Sequence, residues 1–215
     1  MSDVPIVGLI ARADGVTIVR EHDALIATLG GSPPSVTPWP EGSTLAACGA
    51  IDGQPWAALA LPEAGTAIGR VQADGKLQVH WRIGEPIASL AQRESDGAIF
   101  ATAPQSGTIF FFTAGQGGAR RLATVPRGSG RLGGLAFDDQ GGVWAALSDG
   151  WSIVRFTMEG QLDRVIGLPV PCPTDLLFTK RDGERQLLVT TQRQSVSLDT
   201  LATAPLSGRL LLAAL

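Results

Sequence analysis

Apolar residues in this chain come in short runs that stop, again and again, at a polar turn ending in glycine. Five copies of one unit can be read. Ile6 to Ala11 turns at Asp14-Gly15 into Val16–Val19, and Thr44 to Ile51 turns at Asp52-Gly53 into Trp56–Leu59. Ile87 to Ala91 is followed by Asp96-Gly97 and Ile99–Thr102, and Leu132 to Phe137 by Gln140-Gly141 and Val143–Leu147. Leu176 to Phe178 is followed by Asp182-Gly183 and Leu187–Thr190. Each turn suits a hairpin, because glycine accepts the positive φ that a tight turn needs. The turn glycines at 15, 53, 97, 141 and 183 repeat with a period of about 43 residues.

A second hairpin follows in the middle copies. Thr66–Val71 turns at Asp74-Gly75 into Leu77–Trp81, and Trp151–Phe156 turns at Glu159-Gly160 into Leu162–Ile166. Thr108–Phe112 turns at Gly115–Gly118 into Arg121–Val125. A repeat of this length with four strands is a β-propeller blade. The tetrapeptide Trp-Ala-Ala-Leu at 56–59 and again at 144–147 marks the same strand in two blades. The pattern predicts an all-β, five-bladed propeller of three to four antiparallel strands per blade, in one domain over 1–215. The first and last copies are short, with three strands each. The N-terminal residues are expected to complete the last sheet and so remove an exposed edge. A β-sandwich would not repeat with so constant a period. The one helical signal is Leu198–Ala202, ahead of Pro205.

Composition narrows the function. The chain has 215 residues, 44% hydrophobic and 17% charged, which excludes a disordered polymer. A net charge of −3 argues against a nucleic-acid binder that works by neutralising phosphates. No apolar run is long enough for a membrane span, and Met-Ser-Asp-Val-Pro does not read as an export signal. Cys48 and Cys172 form neither a metal-ligand spacing nor a disulfide framework, which points to a reducing cytoplasm. Cys48 reads as a small hydrophobe inside a strand, and Cys172, between prolines, as an exposed loop residue.

The fourth and fifth repeats carry a more specific signal. Gly134-Leu-Ala-Phe-Asp138, Gly141-Gly-Val-Trp144, Ile153–Phe156, Glu159-Gly160, Ile166–Pro169, Pro173-Thr174-Asp175 and Leu187–Thr191 stand in order, followed by Leu198–Leu201, Ala204–Gly208 and Leu210. Together they resemble the gluconolactonase, regucalcin and luciferin-regenerating family. The resemblance implies a six-bladed propeller, and this chain is about one blade shorter. It also implies hydrolysis of sugar lactones with a divalent cation such as calcium or zinc, held by one Glu, two Asn and one Asp at the top of a central channel. Such a cation would polarise the lactone carbonyl and activate water. Carried over position by position, the set is mostly missing. Gly133 stands where the late Asp-Gly-Leu has its Asp, no Asn stands near Ala88-Ser89-Leu90, and the chain contains no Asn at all. The Glu position corresponds to Glu41 in Glu41-Gly42-Ser43, which also reads as a solvated loop residue.

Residues at the starts of the innermost strands remain as candidates: Ser43 and Thr44, Ser89, Arg131, Thr174 and Asp175. Asp175 is the best single acid and the candidate catalytic group, although it also reads as an Asp capping its own turn. Glu41, Ser89, Arg131 and Thr174 are the candidate ligand-binding residues, with Arg131 suited to a carboxylate or phosphate. His22 and His80 belong to a charged turn and an outer strand, and no Ser-His-Asp set is readable. The aromatics read as structural, and Trp39 and Trp151, in or near loops, carry the alternative of walling a pocket. Three functions compete: a diverged hydrolase of sugar lactones or related esters, a non-catalytic propeller that binds a small molecule or protein, and a self-associating module.

Overall fold

The computed structural model describes residues 6–12, 15–28, 33–63, 65–113, 117–181, 184–193 and 196–213. They form five antiparallel sheets. The first holds β1 (Ile6–Arg12), β2 (Gly15–Arg20), β3 (Asp23–Thr28) and β4 (Ser35–Pro38), and the second β5 (Thr44–Ile51), β6 (Gln54–Ala60), β7 (Thr66–Val71) and β8 (Leu77–Ile83). The third holds β9 (Ser89–Gln92), β10 (Ile99–Ala103), β11 (Thr108–Phe112) and β12 (Arg120–Thr124). The fourth holds β13 (Arg131–Phe137), β14 (Val143–Ser148), β15 (Ser152–Phe156) and β16 (Leu162–Gly167). The fifth has β17 (Pro173–Arg181), β18 (Glu184–Thr191) and β19 (Leu210–Ala213). In every sheet each strand pairs with its neighbour in sequence.

The turns form where the residues allow them. Asp52 and Gly53 both have positive φ, at 49° and 67°, and Ile51 pairs with Gln54 across them. That is the two-residue turn whose twist matches the flanking strands. Asp14, Gly115, Asp182 and Gly183 lie outside the described residues. The helical signal is met by α1 (Leu198–Thr203), whose first turn is capped by the Ser197 side chain accepting from Thr200 N–H.

The chain divides into two compact units, one of residues 1–101 and 111–120, the other of 102–110 and 121–215. In the first, Ile10, Val19, Ala24, Ile26, Trp39, Ala57, Leu59 and Val71 form one apolar cluster. In the second, Ala136, Trp144, Ala146 and Ile153 of the fourth sheet pack on Leu176, Leu187 and Val189 of the fifth. Alternation along the strands puts these residues on one face.

Two expectations are corrected. The first sheet has four strands, because Ser35–Pro38 adds β4. Cys172 is 2% exposed, because Pro171–Pro173 leads directly into an inner strand. β1 pairs with β2 in the first sheet and Leu210–Ala213 gives the last sheet its third strand, while residues 1–5, on which closure of that sheet would fall, lie outside the described residues. Trp39 is 6% exposed, held in the first core with its Nε1–H donated to Arg20 O. Among the described residues, no helix is long and apolar enough to cross a membrane.

Candidate functional site

Three of the candidate residues belong to the second unit, at the starts of β13 and β17. These strands run side by side with little between them, because Gly133 and Gly134 lack side chains. A Cβ on Gly133 would lie 2.6 Å from Thr174 O, and one on Gly134 only 1.7 Å from Asp175 Oδ1. The glycine pair therefore makes the seat in which Thr174 and Asp175 sit.

The Asp175 carboxyl rests on Gly134. One of its oxygens accepts the Leu176 N–H at 2.8 Å, as expected for an Asp capping its own turn. Oδ2 takes no hydrogen bond among the described residues. The residue as a whole is exposed, but the carboxyl is crowded by the adjoining strand. Desolvation there raises its pKa above the ordinary carboxylate value and outweighs the Leu176 hydrogen bond, which lowers it. Beside it, the Thr174 and Thr190 hydroxyls pair at 2.8 Å.

Arg131 begins β13. Its guanidinium grips Asp149 Oδ2 through Nε at 3.0 Å and Nη2 at 2.8 Å. Asp149 also accepts from the Cys172 thiol at 3.2 Å. Burial, and then this hydrogen bond, push the thiol pKa up. Asp149 and Trp151 both sit at positive φ, 65° and 51°, unusual for non-glycine residues. The strained turn thus carries the carboxylate that ties two strand starts together. Ser148 adds a hydrogen bond to Pro173 O at 3.1 Å.

The other four candidates belong to the first unit. Glu41 is exposed on the turn before β5, Ser43 is buried just ahead of β5, Thr44 is half-buried at its start, and Ser89 is half-buried at the start of β9. Among the described residues, no three His, Cys, Asp or Glu side chains gather to hold a metal ion. With no Asn in the chain, the donor set does not fit the cation that the resemblance implies.

Residues 109–193 match the SMP-30/Gluconolactonase/LRE-like region. The match covers 85 of the 215 residues. A 6-deoxy-6-sulfogluconolactonase from Pseudomonas putida is 42% identical over 96 residues, which is 44% of this chain and 33% of that protein. The chain thus spans about a third of the curated relative it matches. Among solved structures, a regucalcin from Agrobacterium tumefaciens, described as calcium-binding, superposes with a TM-score of 0.76 at 16% identity over 98% of this chain and 77% of its own. A luciferin-regenerating enzyme superposes with a TM-score of 0.68 at 19% identity over 92% and 75%. A streptogramin B lyase gives 0.68 at 18% identity over 100% and 70%. At such identities these likenesses show the fold, a β-propeller with the five sheets as its blades.

The gluconolactonase-like region also contains an ionic hub at the other end of β13, which sequence reading noted only as part of the resemblance. Asp138 accepts from Gln140 N–H and Gly142 N–H through Oδ1, and from Trp144 Nε1 and Arg155 Nε through Oδ2. Burial alone would raise its pKa, but the hydrogen bonds from Arg155, Trp144 and Gly142 hold it down at about 2. Arg155 also reaches Asp163 at 2.8 Å and Gln140 at 3.1 Å. Nearby, Arg185 lies 4.0 Å over the Phe178 ring and pairs with Asp139. These ion pairs hold the β13–β14 turn. The Arg131–Asp149–Cys172 set was missed because nothing local in the sequence links its three members.

Proposed function

We propose that the chain is a diverged gluconolactonase-like protein that hydrolyses a sugar lactone or related ester beside Asp175. The observation that carries this reading is the Asp175 carboxyl, desolvated on the Gly133–Gly134 seat with one oxygen unpaired among the described residues. The family region and the Pseudomonas putida lactonase supply the reaction class.

A carboxylate with a raised pKa is a better general base than one in water. Ionised Asp175 takes a proton from water while the water oxygen bonds to the lactone carbonyl carbon. The tetrahedral adduct then expels the ring oxygen, which recovers that proton from Asp175 and leaves the open hydroxy acid. The Thr174–Thr190 hydroxyl pair and Arg131 offer hydrogen-bond donors for substrate oxygens. The cytoplasm is proposed as the setting, with a small sugar-lactone-like molecule as the partner.

The test is turnover of a sugar-lactone panel, gluconolactone included, by the purified chain. Asp175→Asn is expected to lower kcat/KM by about 100-fold or more, with the fold unchanged by circular dichroism. Wild-type activity is expected to fall as pH drops through a value above that of an ordinary aspartate. Absence of turnover at any pH, or full activity in Asp175→Asn, overturns the reading.

The missing Asn ligands favour a second reading, a propeller that binds such a molecule without converting it. In that case a lactone raises the melting temperature with the logarithm of its concentration and is recovered intact.

A further inference from the structure

The second and fourth sheets share the tetrapeptide Trp-Ala-Ala-Leu and, beside it, the same cross-strand pair. Trp144 on β14 lies opposite Arg155 on β15, and Trp56 on β6 lies opposite Arg70 on β7. In the fourth sheet carboxylates of the chain itself close the pair. Asp138 accepts from the Trp144 indole and the Arg155 guanidinium, and Asp163 takes a second guanidinium nitrogen. In the second sheet neither position holds a carboxylate. Asp138 stands two residues beyond Ala136, the partner of Trp144, whereas Ile51 stands two residues beyond Gly49, the partner of Trp56. Asp163 is the extra residue of an irregularity in the β15–β16 pairing, between Leu162 opposite Phe156 and Arg164 opposite Arg155. Gln78 and Leu77 face Arg70 and Val71 with no residue between them.

A pocket of about 350 Å³ opens there, lined by Asp52, Gln54, Trp56, Arg70, Gln78 and His80. Among the described residues the Arg70 guanidinium makes no ion pair, and neither it nor the Trp56 indole N–H donates a hydrogen bond. The acid in the lining already has a partner. Gln92 donates to Asp52 Oδ1 at 2.8 Å and accepts the Asp52 N–H at 2.8 Å. Gln78 accepts from Gln72 at 3.3 Å and keeps its own amide N–H groups for a ligand. The His80 ring lies 4.8 Å from that of Trp56, and Trp81 stacks on it at 5.6 Å, so the indole is held in place.

We infer that this pocket binds a small hydroxylated carboxylate, its carboxylate on Arg70 and the Trp56 indole, where the fourth sheet keeps Asp138. The fourth sheet supplies the pattern, since one carboxylate there satisfies an indole N–H and a guanidinium that face each other across two strands. Charge-assisted hydrogen bonds of this kind are the strong ones. A singly charged carboxylate fits better than sulfate or phosphate. The lining holds one guanidinium and also the Asp52 carboxylate, so a second negative charge would meet repulsion. Gln54, Gln78 and His80 offer amides and an imidazole, which suit hydroxyl groups and not an apolar tail. The volume lies at the small end of ligand sites. The inference does not depend on the lactone reading of Asp175.

Isothermal titration of the full chain with sodium gluconate, sodium acetate and sodium sulfate tests this. Gluconate is expected to bind with a Kd of about 1 mM or tighter, and acetate, which has no hydroxyls, about tenfold more weakly. Sulfate is expected to bind no tighter than acetate. Arg70→Gln is expected to weaken gluconate binding by about tenfold or more. Gln78→Glu sets a carboxylate of the chain directly opposite Arg70 and is expected to weaken it as much. Both positions are exposed, so the circular dichroism spectrum of each variant should match that of wild type. Asp175→Asn is expected to bind gluconate as wild type does. Absence of gluconate binding, sulfate binding tighter than gluconate, or gluconate binding left intact by Arg70→Gln or Gln78→Glu overturns the inference. Binding lost in Asp175→Asn but kept in Arg70→Gln assigns the anion to the Asp175 site and overturns it as well.

Discussion

Asp138 shows how much one side chain can hold. Its carboxylate satisfies two backbone N–H groups, the Trp144 indole and the Arg155 guanidinium, at 13% side-chain exposure. A carboxylate held at about 2 against an ordinary value near 4 contributes about 2 kcal/mol to folding. The folded pKa is the lower one, so this contribution is complete above about pH 4 and is lost as pH falls through about 2. Asp138→Asn is expected to unfold about 2 kcal/mol more easily at pH 7. The gap to wild type should close between about pH 4 and pH 2, as read from urea melts across that range. A constant gap would mean that shape, and not charge, sets its contribution. Asp175 is a carboxylate in the opposite environment, raised by desolvation with few donors to lower it. Both were visible in the sequence, Asp175 as the acid of Pro-Thr-Asp at a strand entry. What could not be seen was that Gly134 would leave room for the carboxyl. That depends on the approach of a strand about 40 residues away.

At the scale of the element, turn chemistry and strand contact make different demands on glycine. Gly53 sits at positive φ in the β5–β6 turn with nothing within 4 Å of a would-be Cβ, whereas a Cβ on Gly69 would lie 2.0 Å from Gln78 O across β7–β8. Gly53→Ala is therefore expected to cost about 1 kcal/mol, the price of a left-handed conformation alone. Gly69→Ala should cost more, because β7 and β8 must part. Paired thermal melts check the order, and a larger loss at Gly53 would contradict it. The first kind of glycine was readable, since Asp-Gly between apolar runs is a local signal. The second was not, since Gly69 stands at an irregularity in the β7–β8 pairing that no local pattern marks. Strand number at the chain ends was also misjudged for the first sheet. Ser35–Pro38 is mostly exposed and has no apolar alternation, so it gave no strand signal before its pairing with β3 was known.

For the whole molecule, the five-sheet fold and the gluconolactonase-like region are clear, and the family's cation site is the part that does not carry over. With no Asn in the chain and no cluster of three acidic, His or Cys side chains among the described residues, chelation is expected to leave the melting temperature within about 1 °C of its value with added calcium. A larger calcium-dependent rise would show a donor set built from other oxygens. By itself the sequence determined the period, the hairpin turns and the strand count of most sheets, because these follow from φ preferences and from alternation over a few residues. It also determined the loss of the Asn ligands, a matter of composition. Only the tertiary structure decided that Asp149 joins Arg131 to Cys172, partners 18 and 23 residues away, and that Asp175 lies on Gly134. It also decided that Leu210–Ala213 pairs with β18 in the last sheet. Such facts depend on which strand ends meet in space, and side-chain periodicity along one strand carries no information about its neighbour.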